Sequence, residues 1–201
     1  MPAGSPREEE FANEEVDMTF IKGWRLLVVL AVSVATLLFA SLAVLATSTP
    51  TSESGGSLVG IQVARDTGAQ NLNTTSFSNL SGAAVSLRVS AGTRYLVLAT
   101  FSAESRCDGP NNSFCSIRIV AVPSGGSATS LHPKSGTDYA FDSPGDAPGT
   151  DWEGHSVQRS IRLSGGSNGR TYTIRVQGTL QSGATNFALD DWHLTVERFR
   201  A

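Results

Sequence analysis

The sequence predicts an all-β fold, an antiparallel jelly-roll-like β-sandwich of about eight or nine strands, preceded by one N-terminal transmembrane helix. Residues 58–199 repeat short runs in which apolar and polar side chains alternate, which is the period of a half-buried strand. Glycine, serine, asparagine, aspartate and proline separate these runs, as they do in turns. The third observation is a long uncharged apolar run at residues 26–46, outside which no helical periodicity occurs.

The net charge of the chain is unevenly distributed. The 201 residues include 15 basic and 18 acidic side chains, a net charge of −3. Residues 1–17 contain six acidic side chains and one basic, and residues 18–25 add only Lys22 and Arg25. Subtraction leaves 12 charges of each sign in residues 47–201. A balanced C-terminal part argues against a nucleic-acid-binding protein that is held by bulk positive charge.

Residues 26–46 are predicted to cross a membrane. A helix of this length spans about 30 Å at 1.5 Å per residue, the thickness of the hydrocarbon core of a bilayer. Lys22 and Arg25 precede the run, and the next basic residue is Arg65. The positive-inside rule therefore predicts that residues 1–25 form a cytoplasmic acidic tail with a basic flank and that the C-terminal domain is extracellular.

A cleaved signal peptide is the alternative to a retained signal anchor. Small residues close the apolar run at Ala46, and a polar stretch follows, as at a signal-peptide cleavage site. Translation from Met18 would give the short basic start that signal peptides have, whereas the acidic residues before it favour the anchor. Both alternatives export the C-terminal domain.

Residues 47–57 lack apolar side chains and are predicted to be a flexible linker, so the β domain is predicted over residues 58–201. The domain contains one long irregular stretch, residues 143–154, and loops of that length are often functional. The clearest strand patterns are Ala84–Val89, Arg94–Phe101, Cys115–Val122, Thr171–Gln177 and Trp192–Phe199, and the weaker ones are Leu58–Val63, Asp138–Phe141, Ser156–Leu163 and Asn186–Leu189.

Cys107 and Cys115 are the two cysteines of the chain, and they flank a short turn-like stretch between two predicted strands. In an oxidising compartment such a pair is predicted to form a structural disulfide. A redox-active or metal-binding pair is disfavoured because neither Cys-x-x-Cys spacing nor a nearby histidine is present.

The β domain resembles exported actinobacterial β-sandwich proteins of uncharacterised function, whose layout is similar to the jelly rolls of tumour necrosis factor and the complement globular head. The resemblance rests on residues 187–199, on Tyr95–Phe101, and on Cys107 and Cys115 ahead of Ile117–Ile119. It implies a jelly-roll fold. It also implies a homo-oligomer, by analogy a trimer, that binds other proteins or carbohydrate, but it assigns no catalytic residue.

Acidic side chains concentrate in the long loop. Asp142, Asp146, Asp151 and Glu153 lie there, just after Asp138, and calcium takes six to eight oxygen ligands of this kind. The sequence therefore nominates these four residues for a calcium site, with ordinary solvation of an acidic loop as the alternative, and it predicts no other cofactor.

Trp152 in the same loop is the candidate ligand-binding residue. An exposed indole stacks on the apolar face of a sugar ring, so Trp152 would serve a carbohydrate-binding module; its alternative role is to anchor the loop in the core. The three histidines, His132, His155 and His193, are dispersed in the sequence and suggest no metal site by themselves.

A hydrolase is disfavoured, although residues 165–169 match the G-x-S-x-G nucleophile pattern and are followed by Asp190 and His193. That pattern requires a strand, a sharp turn and a helix in a parallel sheet, whereas here it lies between two predicted strands. Asp190 and His193 would also point to opposite faces of a regular strand.

The function predicted from these features is non-enzymatic recognition or assembly at the cell surface by a membrane-anchored domain. A carbohydrate-binding module is one alternative. A subunit of a pilus-like filament is another, suggested by Lys22-Gly23 ahead of the apolar run, although Leu27 stands where a bacterial pilin usually has glutamate. Expected partners are the membrane, a further copy of the chain, and a surface protein or carbohydrate.

Overall fold

The computed structural model describes residues 51–135, 139–144 and 151–201. The predicted membrane span, 26–46, lies outside these residues, and within them no helix is long and apolar enough to cross a bilayer. The described strands, all paired antiparallel, are β1 (Leu58–Asp66), β2 (Gln70–Leu72), β3 (Ser78–Val89), β4 (Arg94–Asp108), β5 (Phe114–Pro123), β6 (Thr129–Ser130), β7 (Glu153–Ser164), β8 (Arg170–Gln181) and β9 (Asn186–Arg200). The all-β prediction is confirmed.

The strands form two sheets. One sheet has the order β1-β9-β4-β7, with β2 also paired to β9, and the other has the order β3-β8-β5-β6. Alternate residues of the long strands are buried, as in β8, where Tyr172, Ile174 and Val176 face inward. This alternation places one hydrophobic core between the two sheets, which makes the domain a β-sandwich. The largest fully buried side chains include Trp192, Phe101, Phe187, Leu87, Ile117 and Ile174.

The five clearest strand predictions lie within β3, β4, β5, β8 and β9, but three details differ. Asn186–Leu189 and Trp192–Phe199 belong to one strand, β9, because a bulge at Asp191 interrupts the alternation without ending the pairing. Among the described residues of Asp138–Phe141, 139–141 lie in no named strand, and the segment pairs with β5 only through the bridge between Cys115 and Asp142. The strands β2 and β6 were not predicted.

The start of the domain lies against the first sheet. The amide of Gly56 donates to the carbonyl of Arg200 at 2.6 Å, and the hydroxyl of Ser160 donates to Glu53 at 2.7 Å. A Cβ added at Gly55 would lie 2.8 Å from the Cβ of Phe199, so the backbone passes close over β9. Residues 53–56, within the predicted linker, therefore contact the sheet in this structure.

The predicted disulfide is confirmed. Cys107 on β4 and Cys115 on β5 are both buried and joined by a bond of 2.06 Å, with their Cα atoms 5.7 Å apart. Since β4 and β5 belong to different sheets, the bond ties the two layers together at one end of the sandwich.

Candidate functional site

The acidic residues nominated from the sequence converge, in part, beside the disulfide. Three pieces of chain meet there: the end of β4, the start of β7, and the segment 139–144. Strand register explains the convergence, because Ser105 pairs with Glu153 and Ala103 pairs with His155. Ser105 and Ala103 face the core, so their partners on β7 lie on the same inner face.

Ser105 connects the cluster. Its hydroxyl donates a hydrogen bond of 2.6 Å to Oδ2 of Asp142 and lies 3.0 Å from Nδ1 of His155. Nε2 of the same imidazole lies 3.5 Å from Oε2 of Glu153. Ser105 and Asp142 are buried, whereas the side chain of Glu153 is 58% exposed, so the cluster runs from the core to solvent.

Asp142 is held in place by the backbone of Cys115. The amide of Cys115 donates to the carbonyl of Asp142 at 2.8 Å, and the amide of Asp142 donates back at 3.2 Å. The neighbouring ring of Phe141 lies 5.9 Å from that of Phe101 and 5.5 Å from the imidazole of His155, measured between centroids. These contacts position the aspartate carboxylate and the imidazole together.

Asp142, Glu153 and His155 each have one potential metal-ligating atom within 4.8 Å of those of the other two. Of the four residues nominated for calcium, the structure thus brings Asp142 and Glu153 together. Asp146 lies outside the described residues, and Asp151 is not in this three-residue group. The sequence analysis did not include His155 in the site. Its spacing from Glu153 could have indicated it, because residues two apart on a strand lie on the same face.

Trp152 lies just before β7 and is 39% exposed. The guanidinium carbon of Arg106 lies over its ring, 5.5 Å from the centroid, a cation–π geometry. Arg106 also forms an ion pair of 3.1 Å with Asp108, which accepts a hydrogen bond of 2.9 Å from Asn186. Trp152 is therefore partly exposed but already engaged by an arginine of its own chain.

The hydrolase-like residues do not form a triad. Gly165–Gly169 lies in the turn between β7 and β8, where Ser164 pairs with Arg94 at the start of β4. His193 pairs with Ser102, eight residues further along β4, which is about 26 Å in an extended strand.

The expectation that Asp190 and His193 point to opposite faces was wrong. Ser102 pairs with His193, and Glu104 pairs with Asp190. Because Ser102 and Glu104 are two apart on β4 and share a face, their partners Asp190 and His193 also share a face, although they are three apart in sequence. The extra residue is Asp191, which adopts a positive φ of 42° in a β-bulge. His193 and Asp191 border an open depression that is also lined by Arg65, Asp66, Thr67 and Trp192.

A second candidate surface is the edge strand β1. Ile61 and Val63 are 54% and 55% exposed, and Leu58 and Val59 are also exposed. Between them, Gln62 points inward and donates a hydrogen bond of 2.9 Å to the carbonyl of Ser86 on the opposite sheet. Val59, Ile61 and Val63, which alternate with the inward-facing residues of β1, thus form an outward-facing apolar stripe that ends at the exposed Arg65.

No protein-family model matches the chain, and no curated protein matches it significantly. Among solved structures it is similar to one described as the structure of infectious bursal disease virus Gx strain, with 12% sequence identity and a TM-score of 0.33. The similarity covers 76% of this chain but only 36% of the viral chain, so this protein spans about a third of that chain's length. At this TM-score the likeness carries no argument about fold or function.

Proposed function

We propose that the chain is a membrane-anchored surface protein that displays a jelly-roll β-sandwich outside the cell and assembles, without catalysis, with a second copy of itself through β1. The observation that carries the proposal is the apolar stripe on β1, whose outer edge pairs with no other strand among the described residues. The membrane anchor and the export rest on the apolar run 26–46 and on its basic flank, Lys22 and Arg25.

The strand order supports the jelly-roll interpretation. The chain changes sheet at nearly every connection from β3 onward, and β5-β6 is the hairpin that stays within one sheet. Two layers, here of five and four strands, that are connected in this way are typical of a double Greek key.

The contrast between the edges supports β1 as the assembly surface. At the other edge of the same sheet, His132 exchanges backbone hydrogen bonds of 2.7 and 2.8 Å with Ser160 of β7. In the second sheet, β3 contains a register irregularity between Asn79 and Ala84, and β6 has two residues. These are features by which proteins protect sheet edges from pairing. β1 also has a register irregularity, between Leu58 and Gly60, and it ends in the charged residues Arg65 and Asp66, but from Gly60 to Ala64 its register is regular and it has no charged side chain.

A second copy is the occupant that fits this edge. Antiparallel pairing of two β1 strands about a two-fold axis at Ile61 places Ile61 opposite itself and brings Val63 of each copy beside Val59 of the other, next to the register irregularity between Leu58 and Gly60. All these cross-strand pairs are apolar, which favours association. Each copy has one β1 edge, and two copies pair their edges with each other and leave none for a third. We therefore expect a dimer rather than the trimer that the resemblance implies. Anchoring in one membrane also raises the local concentration of copies.

Cysteine cross-linking of the full chain in membranes tests this assembly. The native cysteines are paired with each other, so an introduced cysteine is the free thiol. Ile61→Cys is expected to give a covalent dimer with a short bismaleimide, because a two-fold axis brings the two copies of this position together. Gln158→Cys, exposed on the other edge strand of the same sheet, is the matched control and should remain monomeric.

The same variants test the location. A membrane-impermeant maleimide should label Gln158→Cys on intact cells, and failure to label it before permeabilisation would contradict export.

A monomer from both variants, or equal cross-linking of both, would contradict assembly through β1. Light scattering of the detergent-solubilised protein that gives the mass of three chains would support the trimer instead.

A further inference from the structure

Beside the disulfide, the side chains of Asp142, Glu153 and His155 supply two carboxylates and one imidazole whose potential ligating atoms lie within 4.8 Å of one another. Zinc and related divalent ions bind such oxygen and nitrogen atoms at about 2.0–2.2 Å. Small rotations of the exposed Glu153 side chain would bring its carboxylate to that distance from an ion held between the other two groups.

The hydrogen-bond pattern around Ser105 determines which imidazole nitrogen is free. A serine hydroxyl has one proton, and the 2.6 Å contact directs it to the carboxylate of Asp142. The 3.0 Å contact with His155 then requires Nδ1 to be the donor. In the neutral imidazole this leaves a lone pair on Nε2, which faces a carboxylate oxygen of Glu153 at 3.5 Å.

Two electron-pair donors that face each other are stabilised by a cation between them. The pattern also resembles the outer contacts of metal-binding histidines, where a hydrogen bond at one ring nitrogen orients the other toward the metal. Here Ser105 makes that contact, and the ring of Phe141 packs against the imidazole at 5.5 Å. The exposed side of Glu153 leaves room for water to complete the coordination.

We propose that Asp142, Glu153 and His155 form a binding site for a divalent transition-metal ion of the zinc type. The nitrogen ligand distinguishes this site from the calcium site expected from the sequence, because calcium prefers oxygen ligands whereas imidazole suits zinc, copper, iron and nickel. The site is independent of assembly through β1, so either proposal can fail alone.

The test is a zinc titration of the full chain, purified in detergent without a histidine tag and stripped with a chelator. Calorimetry should detect one zinc ion per chain, with calcium at the same concentration giving no saturable heat. His155→Ala should weaken zinc binding at least tenfold, whereas His193→Ala, which removes an exposed histidine outside the cluster, should leave it unchanged.

Glu153→Gln provides a second variant that should fold, because its side chain is largely exposed, and it should also weaken zinc binding. Substitution by cobalt should give visible absorption bands that His155→Ala abolishes, which reports the nitrogen ligand directly. Absence of zinc binding would overturn the proposal. Unchanged binding in His155→Ala, or a preference for calcium, would overturn it as well.

Discussion

The hydroxyl of Ser105 lies 2.6 Å from Oδ2 of Asp142, and both side chains are buried at the end of the sandwich where the disulfide joins the two sheets. A buried carboxylate requires hydrogen-bond donors, because its charge has lost the stabilisation that water would supply. Ser105 is therefore a structural partner of Asp142. Its proton is directed to a carboxylate and its side chain is inaccessible, which does not suit a nucleophile.

Ser105→Ala should destabilise the domain by about 1–3 kcal/mol, because it leaves the Asp142 carboxylate without this donor. Ser116→Ala is a matched control: Ser116 is equally buried on β5, but its hydroxyl has no hydrogen-bond partner among the residues that the structure describes. Removing an unsatisfied hydroxyl should be close to neutral. Urea unfolding followed by tryptophan fluorescence measures both, and equal midpoints for the two variants would contradict the role given to Ser105.

The disulfide should contribute about 2–3 kcal/mol to stability, since it closes a loop with a sequence separation of eight residues. The double variant Cys107→Ser/Cys115→Ser should lower the free energy of unfolding by that amount. Reduction of the wild-type protein should lower it similarly, while the reductant should leave the double variant unchanged. Identical unfolding midpoints for oxidised and reduced wild type would show that the bond does not stabilise the domain.

Gly165 is required by packing. A Cβ added at Gly165 would collide with the carbonyl oxygen of Ser90, a backbone atom that cannot rotate away. Gly165→Ala should therefore destabilise the domain by about 1–3 kcal/mol, the range for overpacking. Gly154→Ala, on exposed β7 with no atom within 4 Å of the added Cβ, should leave the melting temperature nearly unchanged. Equal melting temperatures for the two variants would contradict this assignment.

The sequence predicted most of the long strands because their alternation is a local property. It did not predict that β9 is continuous, since the bulge at Asp191 places two buried residues, Leu189 and Trp192, three positions apart. It also missed β2, because three residues, Gln70–Leu72, are too few to show a period and pair only through contact with β9.

The candidate metal site was predictable only in part. The acidic composition of the loop pointed to Asp142 and Glu153, but the cluster depends on the register between β4 and β7, which places His155 opposite Ala103. Register between strands far apart in sequence is determined by the packing of the whole sandwich. No spacing along the chain could therefore show that Ser105 would lie between Asp142 and His155.

Arg118 on β5 provides a final test of how the fold tolerates a partly buried cation. Its guanidinium carbon lies 4.1 Å from the centroid of the Phe77 ring, and its Nε donates a hydrogen bond of 2.7 Å to Gln177. Burial lowers the pKa of Arg118, but arginine still carries its charge at neutral pH.

Arg118→Lys retains the charge and loses both the planar stacking and the Nε donor, so it should destabilise the domain by about 1 kcal/mol. Arg88→Lys, at an exposed position on β3, should change stability by less than about 0.5 kcal/mol. Thermal unfolding at neutral pH compares the two variants, and a change for Arg118→Lys no larger than that for Arg88→Lys would show that the contact with Phe77 contributes nothing measurable.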